Sequence, residues 1–117
     1  MKKEPLIFVK HILESIGNIE SFSQGLSKSK FEKDRLRQSA IIREIEIIGE
    51  AVKNLPIDFT VKYPYVEWSK IAGTRDKIIH HYFGIDVDVI WDIVKYDLPD
   101  LKKKIKKILD ELEKDRE

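Results

Sequence analysis

The residues best suited to chemistry crowd into one short stretch, Thr74-Arg75-Asp76-Lys77-Ile78-Ile79-His80-His81-Tyr82-Phe83-Gly84-Ile85-Asp86. An arginine and a histidine converging on one phosphate can cleave RNA. Histidine takes the proton from a ribose 2′-OH or gives one to the leaving 5′-oxygen, and arginine holds the phosphate oxygens as charge builds on them. If the stretch is helical, Asp76 and His80 lie four residues apart and face each other, so the carboxylate can fix the imidazole tautomer and raise its pKa. Arg75 and His80 are then about 140° apart on an ideal helix, so a single straight helix does not aim both at one atom. A bent arginine, a helix that loosens near Gly84, or a two-fold axis joining two copies would each bring them together. The same groups also suit nucleotide binding without cleavage, or a plain surface salt bridge.

A metal site fits less well. His80 and His81 are adjacent, so their side chains diverge; His11 is far away in sequence; and no His-Glu-x-x-His pattern is present. There is no cysteine, which removes disulfides, thiolate metal sites and cysteine nucleophiles. No glycine-rich phosphate loop occurs. No cofactor is implied.

The 117 residues fit one domain, 1–117, with one modest core. Apolar residues make up 42% and charged ones 37%, which excludes a disordered chain. The net charge of +1 gives no global argument for nucleic-acid binding, so any such site is a local patch. No apolar run approaches the roughly 20 residues of a membrane span, and the start of the chain reads as helix rather than signal peptide. The expected location is cytoplasmic.

The positioning elements read as helices. Leu6, Val9, Ile12, Leu13, Ile16 and Ile19 recur at three and four residues and predict a first helix from about Pro5. Ser21 to Lys30 is the expected turn. A second helix is expected from about Lys30 to Asn54, with Ala40, Ile41, Ile45, Ile47, Ile48, Ala51, Val52 and Leu55 on one stripe. Glu44 falls inside that stripe and must be paired, neutral or functional; the plain readings are a structural contact with Arg37, on the same line, or a stripe edge that reaches solvent. Arg43, Glu46 and Glu50 form a second, polar line that reads as a solvated, ion-paired face. Pro56 to Pro64 is a connection with room for one helical turn. A third helix begins at Trp68, Ile71 and Ala72, carries the central stretch and ends at Gly84, after which Asp86 can cap the next helix.

In the final helix Val87, Ile90, Trp91, Val94, Leu98, Leu101, Ile105, Ile108 and Leu112 hold register through Pro99, so a kink or brief restart is expected at Asp97-Leu98-Pro99. Its lysines, Lys102 to Lys104 with Lys106 and Lys107, read as a solvated face or as phosphate contacts. No strand pattern is evident. The sum is an all-α, up-and-down bundle of four to five helices, with a homodimer covering the surplus of the final stripe.

Arg75-Asp76-Lys77-Ile78-Ile79-His80-His81-Tyr82 resembles the R-x4-H-x-Y signature of HepT-type toxins, a branch of the HEPN superfamily. The segment Ile41 to Lys53 resembles the family's second helix. Tyr63-Pro64, Trp68, Ile71-Ala72-Gly73 and Tyr82-Phe83-Gly84-Ile85-Asp86 through Trp91 resemble its flanks, so the likeness covers nearly the whole chain. The resemblance implies a dimeric helical bundle whose two motifs face a shared cleft. It implies a metal-independent endoribonuclease toxin of a prokaryotic toxin–antitoxin pair, acting on RNA by 2′-OH attack. Its partner is then a cognate MNT-type minimal nucleotidyltransferase antitoxin. Arg75 and His80 match the catalytic pair, Asp76 an assisting position, and Tyr82 the tyrosine that receives AMP. An AMP group on that phenol oxygen would fill the phosphate cleft and compete for Arg75. Position 81, often small or variable in the family, is His here, so it either crowds the cleft or shares in proton transfer. The other reading is a catalytically silent HEPN module that binds nucleotide and a nucleotidyltransferase.

Overall fold

Apolar residues at three- and four-residue spacing make helices, and their buried stripes define the core. A computed structural model describes residues 4–80 and 84–115. Helix α1 (Pro5–Ser23) starts with proline in its first turn and turns Val9, Ile12, Ile16 and Ile19 inward, each no more than 1% exposed. It ends at Gly25, whose φ of 75° is the left-handed closure that glycine accepts without strain. α1 lies against both α3 (Arg35–Lys53) and α8 (Leu98–Asp115).

The expected second helix is broken. Lys28–Glu32 forms a separate short helix, α2, and α3 begins only at Arg35. Asp34 makes the break. Its side chain accepts hydrogen bonds from the Arg37 backbone N–H at 3.0 Å and from the Arg37 guanidinium at 2.6 Å, capping α3. Those two bonds hold its carboxyl below the ordinary value of 3.8. Buried Gln38 then donates to the carbonyls of Phe31 (2.8 Å) and Glu32 (3.2 Å) and satisfies the end of α2. The expected Arg37–Glu44 pairing is therefore incorrect: Arg37 serves Asp34, while Glu44 accepts from Asn18 of α1 at 3.2 Å.

The connection after Pro56 holds one helical turn, α4 (Ile57–Thr60). Trp68 opens α5 (Trp68–Ala72), and its indole N–H donates to the carbonyls of Thr60 and Tyr63 at 3.1 and 3.0 Å. That bond and the packing of Phe59 against Tyr63 and Trp68 fix the bend.

The expected third helix is also shorter than its pattern. After α5 the chain turns at Gly73 into α6 (Thr74–Ile78) and leaves the helical region at Ile79, with φ −100° and ψ 113°. Ile79–His80 (β1) pairs antiparallel with Gly84–Ile85 (β2), Ile79 opposite Ile85 and His80 opposite Gly84. The Asp86 N–H closes the ladder on the Ile78 carbonyl at 2.8 Å. Ile78 is fully buried, and this β-branched pair of isoleucines suits an extended exit from the core. Gly84, expected as the helix terminator, instead takes φ 76° in the returning strand.

Asp86 caps α7 (Val87–Asp92) through the Val89 N–H at 3.2 Å, as its position suggested. Residues Ile93–Asp97 then form a π-helical turn before α8. The Leu98 N–H reaches the Ile93 carbonyl, five residues back. Buried Ile93 and Leu98 are five apart, a spacing that an α-helix would splay, and the wider turn returns both to one face. The expected restart at Pro99 thus takes the form of a π turn placed just before it. The chain is all-α in character, with the short β1–β2 pair as its one departure among the described residues.

Two stability measurements check this packing. Ile105 is fully buried between α8 and its neighbours. Ile105→Ala should cost about 2–5 kcal/mol in denaturant unfolding and Ile105→Val about 0.5–1.5. The Asp34 cap, whose folded carboxyl titrates below 3.8, should contribute fully at neutral pH and be lost as pH falls through that depressed value. Asp34→Ala should accordingly lower the melting temperature at pH 7 and have little effect once the carboxyl is protonated.

Candidate functional site

The site begins with the contact between α3 and α5. On α3, Gly49 faces the backbone of α5. A Cβ there would lie 3.5 Å from the Ala72 carbonyl oxygen and 3.7 Å from that of Ile71. The helices therefore run close together, and even a methyl at 49 would reach ordinary van der Waals contact with the α5 backbone. Thr74 fastens the next turn, its hydroxyl donating to the Lys70 carbonyl at 2.9 Å. α6 then lies along α3 and brings Arg75 opposite Glu46, one turn before Gly49.

The Arg75 Nε–H donates to Glu46 Oε2 at 3.2 Å. The arginine side chain is 56% exposed and the glutamate 30%. Among the described residues the two Nη nitrogens of Arg75 meet no acceptor. One edge of the guanidinium is tethered by Glu46, and among the described residues nothing holds the other. That is the arrangement that binds an anionic oxygen with little loss of side-chain freedom.

Sequence reasoning overlooked Glu46 as a site residue. The signal was the polar line Arg43–Glu46–Glu50 on a helix whose other face is core, but nothing in that line named Arg75 as the partner. Asp76 lies beside Arg75 in the first turn of α6 and is exposed. His80 does not continue that helix, so the expected face-to-face placement of Asp76 and His80 over one turn is corrected. The extended backbone at Ile79 moves His80 onto β1, opposite Gly84. Arg75 and His80 are therefore not set 140° apart around one helix. The His80 imidazole, His81 and Tyr82 lie outside the described residues.

Among the described residues no three His, Asp or Glu side chains cluster as a metal site would require. The lysine cluster of α8 is partly spoken for: Lys102 pairs with Glu20 at 2.9 Å, Lys104 with Asp100 at 2.9 Å, and Lys107 sits over the Tyr65 ring at 5.6 Å. Among the described residues no helix is long and apolar enough to cross a membrane.

Comparison with known proteins gives a consistent answer. The family model described as "Ribonuclease HepT-like" matches residues 12–108. A Methanocaldococcus jannaschii protein named "Putative RNase MJ0127" is 47% identical over 112 residues, covering 96% of this chain and 93% of its own length. The "Probable ribonuclease HepT" of Thermococcus cleftensis is 44% identical over 108 residues, covering 92% of this chain and 98% of its own. A third relative, from M. jannaschii, is named "Gamma-glutamylcyclotransferase and putative RNase MJ0434". It is 45% identical over 116 residues, 99% of this chain, which spans about half (52%) of that longer protein. No solved structure matches the chain. A family match over most of the chain, with relatives that align along almost their full length, settles one thing: the chain belongs to the HepT-like ribonuclease family.

Proposed function

We propose that this chain is a metal-independent endoribonuclease, the toxin of a prokaryotic toxin–antitoxin pair. The observation that carries the reading is the tethered guanidinium of Arg75, held by Glu46 with its outer edge open, five residues before His80 in a HepT-like chain. The open edge binds the non-bridging oxygens of the scissile phosphate. His80 takes the proton of the ribose 2′-OH. The 2′-oxygen attacks phosphorus, the bond to the 5′-oxygen breaks, and that oxygen takes up a proton. The products are a 2′,3′-cyclic phosphate and a 5′-OH end. Asp76 assists from the neighbouring position.

The chain acts as a homodimer in which the surface carrying 75–80 pairs with its copy, so that two motifs face one cleft. Its antitoxin is an MNT-type nucleotidyltransferase. The enzyme moves AMP from a nucleoside triphosphate to the Tyr82 phenol oxygen, with loss of the phenolic proton and pyrophosphate. The bulky anion then competes with RNA for Arg75.

Purified protein incubated with RNA in EDTA tests the assignment. Wild type should leave cyclic-phosphate ends. His80→Ala should lose about 10²–10⁴-fold in rate, as expected for a general acid–base group. Arg75→Ala should lose about 10²–10³-fold, as expected for a group that stabilises developing charge. Activity that survives both substitutions would overturn the assigned roles. An inactive wild-type dimer with unmodified Tyr82 would favour the catalytically silent nucleotide-binding module.

Glu46 acts through Arg75 and is a positioning residue. Glu46→Gln keeps an acceptor for the Arg75 Nε–H and should retain most activity. Glu46→Ala should lower kcat about tenfold without raising KM, because the released arginine still attracts phosphate but no longer holds it in place. A rise in KM alone would contradict this role.

A further inference from the structure

Next to α6 the fold leaves a cavity of about 300 Å³, the size at which small-ligand pockets begin. Its floor is apolar, made by Ile45 and Ile48 of α3, Ile71 of α5, Ile93 of the π turn, and Leu98 and Leu101 of α8. Its rim is polar. Thr74, the residue before Arg75, stands in the wall. The cavity therefore adjoins the helix that carries the phosphate-binding arginine.

The π turn supplies the lip. Tyr96 lines the cavity yet is 71% exposed, so its ring offers an uncovered face beside an apolar floor. Asp97 follows it in the lining. The rim's other charges are matched in pairs, Lys70 with Glu67 at 3.4 Å and Lys104 with Asp100 at 2.9 Å. Asp97 has no ion-pair partner among the described residues. The rim thus carries two lysines against three carboxylates, which repels a phosphate but admits an uncharged ring with hydrogen-bond donors on its edge. A nucleobase has that form, with an apolar face and, in adenine, cytosine and guanine, an exocyclic amino group.

We propose that this cavity receives one unstacked base of the RNA substrate, with Tyr96 against its face and Asp97 accepting a hydrogen bond from its amino group, so that amino-bearing bases are selected over uracil. The inference rests on the ribonuclease reading for the identity of the ligand, and it adds a specificity site to it. The ribose-phosphate backbone passes outside the acidic rim, on the Arg75 side. A carboxylate only accepts hydrogen bonds, so set at the position of the exocyclic group, and not at the uracil N3–H, it rewards the cytosine amino group and opposes the uracil O4.

Fluorescence anisotropy with short oligo-cytidine and oligo-uridine strands, 2′-O-methylated to prevent cleavage, tests the pocket. Wild type should bind the cytidine strand about tenfold more tightly. Tyr96→Ala, at an exposed position that should not disturb folding, should weaken binding of both strands about tenfold, while Tyr96→Phe should retain it. Asp97→Asn, whose amide both donates and accepts, should erase the preference. Equal affinity of wild type for the two strands, no binding of either strand, or unaltered binding by Tyr96→Ala would each overturn the proposal. Cleavage of unmodified RNA is read separately. Base-selective binding without cleavage defeats the ribonuclease reading alone, and cleavage without Tyr96 dependence defeats the pocket alone.

Discussion

The close packing of α3 on α5 at Gly49 is the constraint from which the site follows. The close approach of α3 and α5 decides where α6 begins, and α6 carries Arg75. A methyl at 49 would meet the Ala72 and Ile71 carbonyls at ordinary contact distance, so a side chain larger than that of alanine would press on them and push the α5–α6 segment outward. Glu46 stands one turn from that glycine, so the same contact that sets the helix spacing sets the 3.2 Å tether on the guanidinium. An exposed ion pair of this kind adds little stability. Its value lies in geometry, because it restrains a long, flexible side chain by one edge.

The break in the central helix has an equal share in the site. Had α6 continued to Gly84, Asp76 and His80 would lie on one face and Arg75 on another. The chain instead leaves the helix at Ile79 and returns through Gly84, so Arg75 and His80 sit on different elements, one helical and one extended. Fully buried Ile78 is the last helical residue and anchors the junction from beneath. The difficulty of aiming two groups from one straight helix disappears, because one straight helix is not what carries them. The π turn makes a comparable adjustment on the other side of the cavity. It keeps Ile93 and Leu98 together on the core face and, in doing so, leaves Tyr96 on the outside.

Much of this was legible in the residues. The stripe of α1, the proline at its start, the caps at Asp86 and the restart before Pro99 follow from local rules that use only neighbours in sequence. The departures come from contacts those rules cannot see. Lys30 to Arg37 contains neither glycine nor proline, so the α2–α3 break was hidden; it exists because Asp34 caps one helix and Gln38 reaches back to close the other. The stop at Ile78 depends on burial and on a strand partner six residues away. Arg37 had two carboxylates in reach by spacing, and the nearer one won. Glu46 appeared as one of several charges on a polar line, and only the packing of α6 on α3 singles it out. The site's residue types were visible, while their partners required the fold.

The central claim is that α3, through Glu46, holds Arg75 for phosphate. A double-mutant cycle on RNA cleavage measures this most directly, using Glu46→Ala, Arg75→Ala and the pair together. The account predicts strong non-additivity: once Arg75 is gone, removing Glu46 should change the rate little further. If the two losses simply multiply, Glu46 acts independently of the arginine, and the positioning role assigned to α3 is wrong.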